Sequence, residues 1–196
     1  MRNILISMIV PLYQGNKYLT RLLQMYESNC NNICIDHIGT VTELIIVNNS
    51  PENKILLPKK ITEHNVITIS NEKNVGIHAS KINGLKQAQG EYVVFLDQDD
   101  LICPDFLKKQ YESIGDQDAI VCNADIGSGS FYKDSIKEAV KTDIYKKGEN
   151  GIISLGQMMI KRSSIPEEWY LDLSSRNVKR RFSLTADDSS TTLSFL

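Results

Sequence analysis

Apolar and polar positions follow two alternating rhythms along the first two thirds of the chain. Ile4-Leu-Ile-Ser-Met-Ile-Val10 is a β-rich apolar run. From Asn16 onward Tyr18, Leu19, Leu22, Leu23 and Tyr26 recur three and four residues apart, the repeat of an amphipathic helix. Glu43-Leu-Ile-Ile-Val47 predicts a second strand, closed by the turn-forming Asn48-Asn49-Ser50-Pro51, and Val66 to Ile69 predicts a third. A helix over Ile77 to Ala88 turns Ile82 and Leu85 inward, and Gly90 follows it where a left-handed residue suits a helix end. Next come a strand at Tyr92 to Leu96, a helix through Phe106, Leu107, Tyr111 and Ile114, and a strand at Ala119 to Cys122. Strands that are apolar throughout and separated by helices predict an α/β fold: a mainly parallel, Rossmann-like sheet with helices on both faces.

Past that point the pattern weakens. Residues 125–151 read as a charged surface excursion with a helix near Ser135 to Thr142, and Ile152 to Arg162 returns to strand character. Beyond Trp169 periodicity is lost in a tail rich in Ser, Thr and basic residues. The chain thus reads as one domain in two segments, 1–124 and 125–196.

Composition narrows the function classes. The 196 residues can bury one sizeable core. Lys plus Arg total 22 and Asp plus Glu total 24, which argues against a nucleic-acid binder. No apolar run approaches the roughly 20 residues needed to cross a bilayer. The N-terminal run lacks a small-residue cleavage pattern and is interrupted by Pro11, so a buried strand is expected in place of a signal peptide. A cytoplasmic location follows as the expectation. Four cysteines are no disulfide framework in a chain this long. Cys30, Cys34 and His37 form a loose cluster without the fourth ligand of a structural zinc site, so buried or incidental thiols are expected.

The chemistry concentrates in Tyr92-Val-Val-Phe-Leu-Asp-Gln-Asp-Asp100. In a doubly wound sheet, ligands bind beyond the carboxyl ends of the strands. If the chain stays extended after Leu96, Asp97 and Asp99 project to one side. Two carboxylates so close repel each other unless a cation lies between them. Mg²⁺ or Mn²⁺ suits such oxygen ligands and can also bridge a diphosphate. The plainer alternative is that Asp99 or Asp100 caps the following helix.

Four stretches in order carry a resemblance. They are Val10-Pro-Leu-Tyr13, Glu43-Leu-Ile-Ile-Val-Asn-Asn-Ser50, Asn74-Val-Gly76, and Gly90 through Asp100. Together they resemble the nucleotide-sugar half of family 2 glycosyltransferases, which have the GT-A fold, over about Ile4 to Asp105. The resemblance makes 1–124 the nucleotide-sugar-binding half and 125–196 the acceptor-side segment. It implies that Tyr13, with Pro11, packs on the nucleobase. Asn48 stands where many members carry a base-contacting aspartate. Asn74 and Gly76 open a helix whose N–H groups favour anions, and Lys81 falls near a basic residue that faces the donor in relatives, although a solvated lysine is its default reading. Asp97 would contact the ribose or the metal, and Asp99 would bind the metal.

The general base implied by the resemblance is Asp188 with Asp187 in support. Both lie in a Ser/Thr-rich segment that reads equally as disordered. Trp169 faces the acceptor or packs in the core. The implied partners are a nucleoside diphosphate sugar and a saccharide or lipid-linked acceptor, in bacterial surface-polysaccharide synthesis. Lys179-Arg180-Arg181 could touch the inner face of a membrane. Two other readings stand beside this one. Haloacid dehalogenase-type phosphatases also place D-x-D after an apolar strand. An inactive, truncated, nucleotide-binding remnant would show the same motifs, and His37, His64 and His78 all precede the D-x-D.

Overall fold

The computed structural model of the protein describes residues 4–36, 41–58, 65–126, 129–130 and 155–170. The first four strands are β1 (Ile4–Leu12), β2 (Val41–Asn48), β3 (Val66–Ser70) and β4 (Tyr92–Phe95). Three helices, α1 (Asn16–Asp36), α2 (Gly76–Leu85) and α3 (Phe106–Ile114), fall between or after them. The chain continues through β5 (Ala119–Val121), a small pair β6 (Asp125–Ile126) and β7 (Gly129–Ser130), and β8 (Met158–Lys161). The main sheet has the order β3-β2-β1-β4-β8-β5. β1 pairs in parallel with β2 and β4, and β2 with β3, whereas β8 runs antiparallel to both β4 and β5. The expected mainly parallel sheet is therefore present, with the late strand β8 reversed.

Side chains alternate between the two faces, and both faces are covered. Met8, Val10, Leu44 and Ile46 point to the face packed by Leu19, Leu22, Leu23 and Tyr26 of α1. Ile9, Ile45, Val47, Val93 and Phe95 point to the other face, against Leu85 of α2 and Trp169. Tyr92, Val94 and Met159 meet Leu107 and Ile114 of α3. Burial on both faces explains why these strands are predominantly apolar, with Ser7 of β1 and Thr42 and Glu43 of β2 as buried polar exceptions. Among the described residues, no helix is long and apolar enough to cross a membrane.

Two expectations for the α2–β4 connection need correction. The helix ends at Leu85 and passes into turns, with Ala88 N–H donating to Leu85 O at 3.1 Å. Gly90 does not take a left-handed conformation; the positive-φ glycines among the described residues are Gly76 and Gly115. Gly90 is required for a different reason: a Cβ there would lie 2.5 Å from the Ser7 backbone N. That close approach brings Gly90 N–H to Ser7 Oγ at 2.8 Å, and Ser7 Oγ in turn donates to buried Glu43 at 2.5 Å. Glu43 Oε1 also accepts Gln89 N–H at 2.7 Å. The network ties the amino-terminal ends of β1, β2 and β4 together, leaving their opposite ends for a site.

Candidate active site

The chain winds from β1 through β2 to β3 on one side, then crosses to β4 on the other side of β1. The carboxyl ends of β1 and β4 thus form a topological switch point, where an open α/β sheet leaves a crevice. A cavity of about 350 Å³ occupies it. Pro11 and Tyr13 line it from the end of β1, Asn49 from the end of β2, Asn74, Gly76 and Ile77 from the entry to α2, and Asp97, Gln98 and Asp99 from beyond β4.

Gln98 joins the two central strand ends. Its Oε1 accepts the Tyr13 N–H at 3.0 Å. A Cβ on Gly15 would sit 2.5 Å from that same oxygen and 2.6 Å from Leu12 Cδ2, so a larger residue there would push both side-chain ends aside. Gln14 takes a left-handed conformation, with φ of 48°, and its N–H donates to Ser50 Oγ at 2.8 Å. The hairpin-like bend holds Tyr13 at the cavity, with the residue 47% exposed.

The carboxylates do not lie on an extended strand. Gln98 and Asp99 form a turn closed by Asp100 N–H to Asp97 O at 3.1 Å. Both Asp97 and Asp99 still reach the cavity, because the turn and not strand alternation presents them. Asp97 Oδ1 lies 3.0 Å from Lys81 Nζ. Lys81 is 3% exposed and Asp97 24%, so the lysine is not the solvated side chain of its default reading; it is a buried counter-charge standing behind Asp97. Asp100 has its carboxyl pushed up from the usual range by burial first and by the charges of Asp97 and Asp99 next. The helix-cap alternative fails for α3, whose flanking residue is Asp105, without a side-chain cap bond.

Asn48 is not a cavity residue. It is the last residue of β2, 4% exposed, with its Nδ2 donating to Asn53 O at 2.9 Å and its Oδ1 accepting Ser50 N–H at 3.0 Å. The next residue, Asn49, reaches the cavity in its place. Asn49, Gln98 and Ile77 are thus site residues that sequence reasoning missed. Trp169 packs in the core against Phe95, ring centroids 6.5 Å apart. Asp187, Asp188 and Lys179 to Arg181 lie outside the described residues, as does His37 of the loose cysteine cluster. Cys30 of that cluster is buried against Thr42 Oγ1 at 2.9 Å.

Among the described residues, no group of three or more His, Cys, Asp or Glu side chains is placed to hold a metal. Asp97 and Asp99 nevertheless fit a Mg²⁺- or Mn²⁺-type cation. Such ions commonly take one or two carboxylates and draw remaining ligands from water and substrate phosphates.

A family model described as glycosyl transferase family 2 matches residues 7–169. This fold, with carboxylates beyond β4 and an aromatic beyond β1, is that of a family 2 glycosyltransferase, and the chain belongs to that family. Glycosyltransferase GlyA of Streptococcus pneumoniae is 31% identical over 134 residues, 65% of this chain and 17% of its own length. S. aureus TarS 1-349 in complex with UDP-GlcNAc superposes with a TM-score of 0.64 at 23% identity, covering 84% of this chain and 47% of that one. Mannosyltransferase PcManGT from Pyrobaculum calidifontis, in complex with GDP-Man and Mn²⁺, gives a TM-score of 0.55 at 16% identity, over 95% of this chain and 50% of that one. These two likenesses establish the GT-A fold. The chain spans half or less of the length of each of these relatives.

Proposed function

We propose that the cavity binds a nucleoside diphosphate sugar together with a divalent cation, and that the protein transfers the sugar to an acceptor hydroxyl with inversion, in the building of surface glycans. The observation that carries this reading is the meeting of Tyr13, Asn74, Asp97 and Asp99 on one cavity at the switch point of a family 2 chain. Tyr13 offers an exposed ring for the nucleobase. Asp99 and Asp97 would hold Mg²⁺ or Mn²⁺. When bound, the cation supplies Lewis-acid stabilisation of the charge growing on the departing diphosphate.

Lys81 Nζ, 3.0 Å from Asp97 Oδ1, fixes that carboxylate in direction and balances part of the site's negative charge. Asp188, supported by Asp187, is the proposed general base. Its carboxylate takes the acceptor proton as the hydroxyl oxygen bonds to the anomeric carbon and the bond to the diphosphate breaks. The proposed acceptor is a saccharide or a lipid-linked saccharide, with Lys179 to Arg181 touching an anionic inner membrane surface.

A thermal-shift panel of UDP, GDP, CDP and ADP, each with and without MnCl₂, tests the donor site. One nucleotide should raise the melting temperature only when Mn²⁺ is present, since a ligand selective for the folded state stabilises it. No shift with any nucleotide and metal would end this reading. Donor hydrolysis measured alongside separates an enzyme from a remnant that binds without turnover.

A further inference from the structure

One face of α1 grips the chain that follows β4. Steps of four, four and three residues put Arg21, Met25, Asn29 and Asn32 on one stripe of the helix. Three of these side chains reach backbone carbonyls of residues 99–104. Arg21 Nη2 donates to Asp99 O at 2.9 Å, Asn29 Nδ2 to Cys103 O at 3.1 Å, and Asn32 Nδ2 to Pro104 O at 3.0 Å. Asn29 Oδ1 also accepts Leu107 N–H at 3.0 Å, so the same amide steadies the start of α3.

The Arg21 bond differs from the other two because it acts inside the acidic turn. The peptide joining Asp99 and Asp100 is bonded at both ends: its N–H donates to Asp97 O at 3.1 Å, and its C=O accepts from Arg21. A planar peptide held at its two ends cannot rotate, which fixes the backbone on the carboxyl side of the Asp99 Cα. Asp99 is itself exposed, so its direction depends on that backbone more than on packing. Arg21 is not among the residues that line the cavity. Its Cζ stands 5.4 Å from the Tyr18 ring centroid, a cation–π contact that limits its swing. Its Nε is buried and meets no acceptor among the described residues. A buried N–H without a partner costs stability, so packing alone does not account for an arginine here.

We infer that Arg21 is a positioning residue for the cation site: from outside the cavity it locks the Asp99–Asp100 peptide and so keeps the Asp99 carboxylate turned toward the cavity. The inference rests on the donor reading proposed above. Charge and position predict opposite signs at this residue. A guanidinium beside a cation site repels the cation, so removing its charge would by itself tighten Mn²⁺ binding. Removing the lock frees the turn. Ordering Asp99 then becomes part of the cost of binding, and Mn²⁺ should bind more weakly.

The test is a titration of the full chain with MnCl₂ alone, read by the electron paramagnetic resonance signal of free Mn²⁺. Each variant is measured well below its own melting temperature, so that lost stability does not enter. Arg21→Met should weaken Mn²⁺ about three- to tenfold, the net worth of one hydrogen bond. Asn32→Ala removes a bond to the same segment five residues beyond Asp99, and should change Mn²⁺ affinity less than twofold. Tighter or unchanged binding by Arg21→Met would overturn the inference. So would an equal loss in Asn32→Ala, which would report a general loosening of α1. Arg21→Gln, neutral and too short to reach the Asp99 carbonyl, should show the same loss as Arg21→Met and carries the test if that variant does not fold. If wild-type protein takes up no Mn²⁺, the cation site itself is refuted and the inference falls with it. Uptake by wild type with no loss in the Arg21 variants leaves the donor reading standing and removes Arg21 from it.

Discussion

Replacing Lys81 with methionine is the sharpest single perturbation of the site. The stem of Lys81 borders a small cleft with Ile82, Leu85, Phe95, Leu155 and Trp169, so methionine keeps the packing and removes only the charge. At 3.0 Å from Asp97, the gross attraction is about 5 kcal/mol with an effective dielectric constant near 20. Desolvation of the lysine offsets part of this. Breaking a fully buried pair costs about 3–5 kcal/mol, and Asp97 is 24% exposed, so water recovers some of the loss. A net cost of about 2–3 kcal/mol is expected, or roughly 5–10 °C in Tm for a chain of this size. Mn²⁺ should act in opposition. It can replace the missing counter-charge on Asp97 and Asp99, so 1 mM MnCl₂ (roughly, a working concentration) should raise the Tm of Lys81→Met by several degrees more than that of the wild type. Differential scanning calorimetry with and without the metal decides the matter. A variant melting within about a degree of wild type, or an equal metal shift in both proteins, would refute the account of Lys81 as the counter-charge of Asp97.

Other outcomes follow from single contacts. Asp99→Ala should abolish Mn²⁺-dependent donor hydrolysis yet keep Tm within about 2 °C of wild type, because the residue is exposed and the helix α1 contact runs from Arg21 to its backbone carbonyl. Gly90→Ala should destabilise by about 2–3 kcal/mol in denaturant titration, since the new methyl meets the backbone of Ser7 and Ile6, which cannot swing away, as well as Ser7 Oγ. Gly15→Ala should leave stability closer to wild type but weaken nucleotide binding, because the group displaced is the end of Gln98 that holds Tyr13. Iodoacetamide at pH 8, read by mass spectrometry, should modify exposed Cys34 and Cys103 first. Cys30 should resist, because burial pushes its thiol above the ordinary range and leaves little thiolate there.

Much of the frame was legible because it obeys local rules. Strands such as β1 and β4 are buried on both faces, so they are written as apolar runs that Ser7 alone interrupts, and α1 carries its three-and-four repeat in full. The direction of β8 was not legible, since a strand's periodicity is the same whichever way it runs. The site divided in the same manner. Asp97 and Asp99 were found by their charge after an apolar run. The burial of Lys81 was missed because its partner is sixteen residues away, beyond any local pattern. A signal was present all the same: Lys81 precedes inward-facing Leu85 by four residues, which places both on one helix face. Asn48 and Asn49 could not be told apart by composition. Only the point at which β2 releases its last ladder pair, Asn48 with Ser70, decides which of them turns toward the cavity.

The reversed strand also governs the order in which the molecule can be completed on the ribosome. β4 leaves the exit tunnel with one flank bare, and β5, whose sole sheet neighbour among the described strands is β8, must wait for the same late arrival. Nascent chains stalled before Met158 should therefore carry a sticky parallel half-sheet, prone to pairing with a second copy, and release of the following few residues should seal it in a single cooperative step.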